Sequence, residues 1–508
     1  MTVAYSHPLT TPNKTDLYNA LCAAVANYKT QDAWTWLSLS LPLPPLDLLA
    51  VLDLATDSQG YYWENPSSAE GLVAGGEVSH WRSPGGDRFA QAQQVADQWL
   101  SRTQSIGLGT TPDVRILCRF AFSDRYTPIQ QGSRGDLEVP ASLTLPQWQV
   151  SRCGSSYRFT VNLNIDALRP ATIGPLCDRT WRQYRSVRQL ALLPRIPLPQ
   201  RQWAAHQKVP FPLATPAAPQ RQQQFLASVE ALLQAIERQQ LTKVVLASAL
   251  DIVPQSPVSV PAALRLLRQR YNGCHIFAVR SGGQTFLGAS PERLFRVRRR
   301  RLSTSAIAGS APRGATAAQD RRLGEALQRS EKEQHEHRIV ADFIVGRLRQ
   351  LGLQPAWIPR PEVLRLANIQ HLHTPLTADV PDRVHPLQIV AGLHPTPAMA
   401  GLPQQAACEA IAHHEPFARS LYAAPLGWID AQGDSEFIVG IRSALIEDVR
   451  IRLYAGAGIV QGSEPQREWA EVTMKLQAIA SILALSEAIV PNLEPEVPLM
   501  GMVESGQL

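Results

Sequence analysis

Residues 450–477 read RIRLYAGAGIVQGSEPQREWAEVTMKLQ. The opening stretch, RIRLYAGAGIV, has the alternation of a strand. Beyond Pro465, Trp469, Val472, Leu476 and Ile479 repeat at helical spacing and predict a helix over about 465–486. Glu468, Glu471 and Lys475 fall at i, i+3 and i+7 and share the other stripe of that helix. Gly456 and Gly458 stand at the strand end, where bare backbone N–H groups can approach a carboxylate; a bulge or turn would also call for glycine there.

A second acidic helix lies upstream. SEKEQHEHRIV, residues 330–340, belongs to a helix expected over about 318–350. Glu333 and Glu336 are three apart and share a face, while Ile339, Val340, Phe343 and Ile344 form the apolar side. Taken singly, such carboxylate pairs are ordinary solvated faces. Converging on one point, the two pairs would form a hard, oxygen-rich cage of the kind Mg²⁺ takes. His335 and His337 are two apart, cannot face one ligand from a helix, and read as packing groups, so zinc is not indicated.

Basic residues sharpen the picture. Of 49 Lys plus Arg, six are lysine: Lys14, Lys29, Lys208, Lys243, Lys332 and Lys475. Arginine stays protonated and cannot serve as a base, whereas a partly buried lysine can. Lys243, in the apolar strand LTKVVLAS, is the first candidate for chemistry; the alternative is an edge charge. Arg442, in IVGIRSAL, can clamp a carboxylate with two N–H groups. Arg298 to Arg301 read as an exposed hairpin tip.

Composition bounds the rest. A chain of 508 residues with 44% hydrophobic and 18% charged residues is ordinary for a soluble globular protein. The net charge of +6 suits anionic ligands but is too diffuse to argue for nucleic acid. Six scattered cysteines without a CxxC suggest no disulfide framework. Without a signal peptide or spanning segment, a cytoplasmic location is the expectation. Motifs for nucleotide binding and serine hydrolysis are absent. The chain mixes strands and helices throughout. Residues 192–219 are proline-rich and read as a surface connection, and 491–508 as a loose tail.

Eight collinear segments together resemble the chorismate-utilising enzymes and, within them, the isochorismate synthases. They are LTKVVLAS, FLGASPERL, SAIAGSAPRG, SEKEQHEHRIV, IQHLHTPL, LHPTPAMAG, LYAAPLGWIDAQGDSEFIVGIRSAL and YAGAGIVQGSEPQREWAEVTMKLQ. The likeness marks 220–490 as the catalytic region and implies that the divergent residues 1–191 contribute to the same fold. That fold is α+β: large antiparallel β-sheets packed face to face, with helices outside.

The resemblance also implies roles. Lys243 would be the general base that activates water, and Glu292 the general acid. Glu336 and Glu471 would bind Mg²⁺ directly, with Glu333 and Glu468 acting through water. Arg442, Lys475 and the amides near Gly456 and Gly458 would hold carboxylates. Tyr422, His371, Ala398, Gly309 and Ser310 would line the pocket.

Relatives that use ammonia carry glutamine at the position of Lys243 or a nucleophilic lysine at that of Ala308. Those that make anthranilate or salicylate usually carry threonine at that of Ala398. All three positions point to water as nucleophile, with chorismate as substrate, Mg²⁺ as cofactor, and no obligatory amidotransferase, nucleic-acid or membrane partner. The competing expectations are a salicylate synthase, an ammonia-using synthase component, and a non-catalytic binder of anions or nucleic acid. One departure is Ala424, where relatives carry glycine: its methyl is expected to narrow the pocket or shift Tyr422. Isochorismate feeds menaquinone or phylloquinone, salicylate and some siderophores.

Overall fold

The computed structural model describes residues 3–5, 12–28, 35–54, 59–83, 85–124, 136–165, 168–192, 218–254, 257–366 and 369–487. Most of the 192–219 connection and all of the 491–508 tail fall outside these residues.

Two large, mainly antiparallel sheets hold the core, one of 13 strands and one of 10, the tenth pairing off the second sheet's main path. Strand alternation decides how they meet. On Gly60–Asn65, in the first sheet, the Tyr61 hydroxyl donates to the Gly427 carbonyl at 3.4 Å and Trp63 Nε1 to Glu436 Oε2 at 3.3 Å, both in the second sheet. Tyr62 and Glu64 point the other way. Glu64 and Asp47 there accept hydrogen bonds from Arg268, on helix Val260–Arg270. One face of the sheet thus packs on its neighbour and the other carries helices, the α+β arrangement expected.

Strands from early in the chain pair directly with late ones. Gly60–Asn65 pairs with His275–Ser281, and Arg115–Phe120 with Pro425–Asp430.

Two connections cross between the sheets and frame the site. Gln284–Ser290 lies in the first sheet and Arg293–Arg298 in the second, so Pro291 and Glu292 form a crossover. Ser435–Val439 lies in the second sheet and Ser443–Glu447 in the first, so Gly440 to Arg442 form another. By its apolar pattern EFIVGIRSALIED, residues 436–448, reads as one strand. The break follows from Arg442, whose φ is +50°, and from Gly440, where a Cβ would stand 2.5 Å from the Leu421 carbonyl. The crossovers are bonded to each other: the Val439 amide donates to the Glu292 carbonyl at 3.0 Å and the Ala289 amide to that of Arg442 at 3.2 Å.

The helix expected over 318–350 is two, Ala317–Arg329 and Glu331–Gln350. Ser330 between them is extended, and its hydroxyl caps the second by accepting the Glu333 amide at 3.4 Å. Glu333 therefore sits in a first helical turn, as Glu468 does in helix Pro465–Glu487, where the dipole favours negative charge. Arg299 and Arg300, both at positive φ, form the tip of the hairpin joining Arg293–Arg298 to Arg301–Pro312.

Candidate active site

Strand Lys243–Ile252 pairs with Arg450–Val460 and sets Val245 opposite Gly458 and Ala247 opposite Gly456. Helix Pro465–Glu487 packs on the second of these strands, and helix Glu331–Gln350 packs on strand Arg301–Pro312 of the other sheet. The two acidic helices thus arrive from different sheets. Between them opens a cavity of about 900 Å³, including its mouth.

The cavity wall carries Lys243, Glu292, Glu336, Glu471, Arg442 and Lys475. It also carries Gly456, Gly458, Tyr422, His371, Ala398, Gly309 and Ser310. Glu333 and Glu468 stand outside this lining but reach it through neighbours.

Lys243 is almost wholly buried, 1% exposed, and its Nζ donates to Glu336 Oε1 at 2.7 Å. Lys475 Nζ lies 2.7 Å from Glu471 Oε1 and donates to the Gly456 carbonyl at 2.8 Å. Lys332 Nζ stands between the outer pair, 3.3 Å from Glu468 Oε1 and 3.9 Å from Glu333 Oε1. A bulge in strand Arg301–Pro312, between Ala308 and Ser310, links the two acidic helices. There the Ser310 amide donates to Glu333 Oε2 at 2.9 Å and the Ser310 hydroxyl to Glu471 Oε1 at 3.3 Å. Gly309 in the bulge has φ +75°, and a Cβ on it would crowd Glu333.

Burial and neighbouring charge set the electrostatics. Burial, and then the charge of Glu336, raises the Glu333 carboxyl above its ordinary range. Burial also raises Glu468, partly offset by Lys332. Burial pushes Glu471 upward too, but Lys475 outweighs it and holds that carboxyl low. Burial raises Glu292 to about 7, against the opposing pull of Lys243.

His371 is pushed down to about 3 by burial, then by Arg442 and Lys475, and is neutral. Its Nδ1 donates to the Gly309 carbonyl at 3.2 Å, leaving Nε2 to accept from Arg442 Nη2 at 3.4 Å. Arg442 Nη1 is buried with no hydrogen-bond partner among the described residues. A buried guanidinium N–H without an acceptor in a cavity wall is suited to an anionic ligand.

The donor chemistry fits a hard dication. Four carboxylates from two helices repel one another at short range, and three lysines oppose them. Gly458 keeps the space beside Glu336 open, since a Cβ there would stand 2.7 Å from Glu336 Oε1. Among the described residues, no three His, Cys, Asp or Glu side chains are already grouped at metal-holding spacing. His337 is buried and its Nε2 bonds the Thr374 hydroxyl at 2.8 Å.

Ala424 is fully buried and does not line the cavity, which corrects the expectation that its methyl narrows the pocket. Ala423 lines it instead. Sequence reasoning also missed Arg419, a buried cavity-wall residue paired with Glu415. The visible signal was an opposite-charge pair at i, i+4 just before LYAAP.

A family model described as chorismate binding enzyme matches residues 21–484. The chain is 32% identical over 472 residues to a salicylate biosynthesis isochorismate synthase of Pseudomonas aeruginosa, covering 91% of this chain and 93% of that protein. It is 39% identical over 258 residues to the isochorismate synthase MenF of Escherichia coli, covering 51% and 59%. The solved structure of the menaquinone-specific isochorismate synthase MenF from Escherichia coli matches with a TM-score of 0.69 at 29% identity, over 92% of this chain and 99% of that one. Anthranilate synthase component I from Streptococcus pneumoniae, at 17% identity and a TM-score of 0.60, shares the fold. Among the described residues no helix is long and apolar enough to cross a membrane.

Proposed function

The chain belongs to the chorismate-binding enzyme family, and on that premise we propose that it interconverts chorismate and isochorismate. The observation that carries the reading is the presence of Lys243 and Glu292 in one cavity wall, the amine buried and the carboxyl held near pH 7. A base and an acid of that kind can serve a single displacement.

Lys243 takes a proton from water as the oxygen attacks C2 of the ring. The ring double bonds shift, the C4–oxygen bond breaks, and Glu292 gives its proton to the departing hydroxyl, which leaves as water. One water enters and one leaves, so the reaction is an isomerisation. Arg442 and Lys475 hold substrate carboxylates, with the amides near Gly456 and Gly458. His371 keeps Arg442 in place through its neutral ring. Ala398 leaves room for water where a larger residue would stand.

Glu336 and Glu471 would hold Mg²⁺ directly, with Glu333 and Glu468 behind them through water. When bound, the ion would neutralise the carboxylate cluster and hold a substrate carboxylate. Glu336, engaged in that way, would release Lys243 for its role as base. Water as the nucleophile requires no amidotransferase subunit.

Incubation with chorismate and Mg²⁺, followed by chromatographic identification of the product, tests the reading. Isochorismate is expected. Salicylate with pyruvate, or an aminated product formed only with ammonia, would replace it with a sister activity.

A further inference from the structure

Strand Lys243–Ile252 lies next to the edge of its sheet. Its outer neighbour, Gly401–Leu402, pairs only with Lys243 and Val244. An antiparallel edge turns the N–H and C=O of alternate residues outward, here those of Val245 and Ala247. Among the described residues no strand meets them. The Val245 amide donates to the Ala400 carbonyl at 2.7 Å. The Val245 carbonyl accepts from Arg419 Nη2 at 2.7 Å, and the Ala247 amide donates to Glu415 Oε1 at 2.7 Å. An ion pair of side chains continues the ladder where backbone stops.

The same guanidinium ties three parts of the cavity wall. Arg419 Nη1 donates to the Met399 carbonyl at 2.8 Å, next to Ala398. Arg419 Nε donates to Glu415 Oε2 at 2.8 Å, and Nη2 bonds Glu415 Oε1 as well. The Tyr422 amide donates to the Arg419 carbonyl at 2.7 Å, and the guanidinium lies 5.7 Å from the Tyr422 ring centre. Arg419 and Glu415 are 4% and 7% exposed. The charge of Arg419 is met by Glu415 and its fork is taken up by backbone, so it is built to hold the wall and not to bind an anion.

We infer that Arg419, with Glu415, is a positioning residue for the proposed reaction, fixing the strand of Lys243 against the Ala398–Met399 turn and Tyr422. It rests on the proposed function and adds a residue to it. Lysine keeps the charge but cannot reach Val245, Met399 and both Glu415 oxygens at once.

The test compares Arg419→Lys with Arg115→Lys. Arg115 is also buried and ion-paired, to Asp113 at 2.9 Å, but does not line this cavity. Each protein is assayed for isochorismate formation and thermal unfolding. Both variants are expected to lose a comparable few degrees in Tm. Only R419K is expected to lose kcat, by about 10- to 100-fold, with KM for chorismate within about threefold, the signature of misplacement in the transition state.

Full kcat in R419K, or an equal kcat loss in R115K, overturns the role. If R419K does not fold, Glu415→Gln is read in its place. That variant removes the counter-charge yet keeps an acceptor for Ala247, and kcat should fall about tenfold; an unchanged kcat overturns the role. A wild-type protein that leaves chorismate untouched removes the proposed function and this role with it, whereas an active wild type beside a fully active R419K removes only the role.

Discussion

Lys243 and Glu336, one from a strand of the first sheet and the other from a helix packed on the second, meet at 2.7 Å in the cavity wall. The amine is buried to 1% exposure, and its contact is the carboxylate proposed above as a metal ligand. Lys243→Ala is expected to leave a folded protein by circular dichroism and to reduce turnover by about 100- to 10,000-fold, the range of a lost general base. A mutant with near wild-type rate would remove Lys243 from the chemistry.

Glu292 carries a pH signature. Its carboxyl titrates near 7 in the folded protein, above the ordinary 4.5, because burial disfavours the charge. In the role of proton donor proposed above it would work in the protonated form, so kcat for isochorismate formation should fall as pH rises through about 7. The folded state binds more protons than the unfolded state between the two values. Stability contributed by this group is therefore full below pH 4.5 and is lost as pH rises to about 7, by about 3 kcal/mol. Glu292→Gln should raise the Tm measured at pH 8 but not at pH 4, while lowering kcat most below pH 7, where the wild-type carboxyl is protonated.

Gly458 is a space-keeper. A Cβ would stand 2.7 Å from Glu336 Oε1 and 3.2 Å from Lys243 Cε, both at flexible side-chain ends. Gly458→Ala should fold with a Tm within a few degrees of wild type and lose at least about tenfold in kcat, because the side chains that yield are those that react.

Arg442 offers a buried N–H with no acceptor among the described residues. Arg442→Lys should raise KM for chorismate by about 10-fold or more, the cost of about 1.4 kcal/mol or above for a lost charged contact, with little change in Tm. Unchanged KM would show that the substrate carboxylate lies elsewhere.

Lys332 bridges Glu333 and Glu468 from the outside and is about one-third exposed. Exhaustive chelation should abolish turnover, and Mg²⁺ should restore it. Lys332→Met should cost the metal-free protein less than about 1 kcal/mol, as for other solvent-facing ion pairs. Its Mg²⁺ affinity by calorimetry should rise, since a competing cation is gone. Equal affinities in the two proteins would place the metal away from Glu468.

Much of the site was legible because its residues fall in dense local motifs. Glu333 with Glu336 and Glu468 with Glu471 could be read from helical spacing alone, and the rare lysines marked Lys243 and Lys475. Long-range pairing was not legible. Nothing in the sequence of Gly60–Asn65 says that Tyr61 and Trp63 will meet Gly427 and Glu436. The break at Ser330 was missed although Ser330 followed three residues later by Glu333 is a helix-start signature. Arg419 left only its i, i+4 pairing with Glu415 in the sequence, because its other partners are backbone groups of Val245 and Met399. The sheet crossover at Arg442 was masked because EFIVGIRSALIED reads as one unbroken strand.

The bulge at Gly309 makes parity the most sensitive property of its strand. Side chains alternate faces, so removing a single residue between Arg301 and Ser310 would restore a regular ladder and turn Ser310 to the opposite side. Glu333 and Glu471 would lose their shared tether together. Descendants of this chain can trade many amino acids along that strand, but they cannot shorten it by one and keep the two acidic helices in touch.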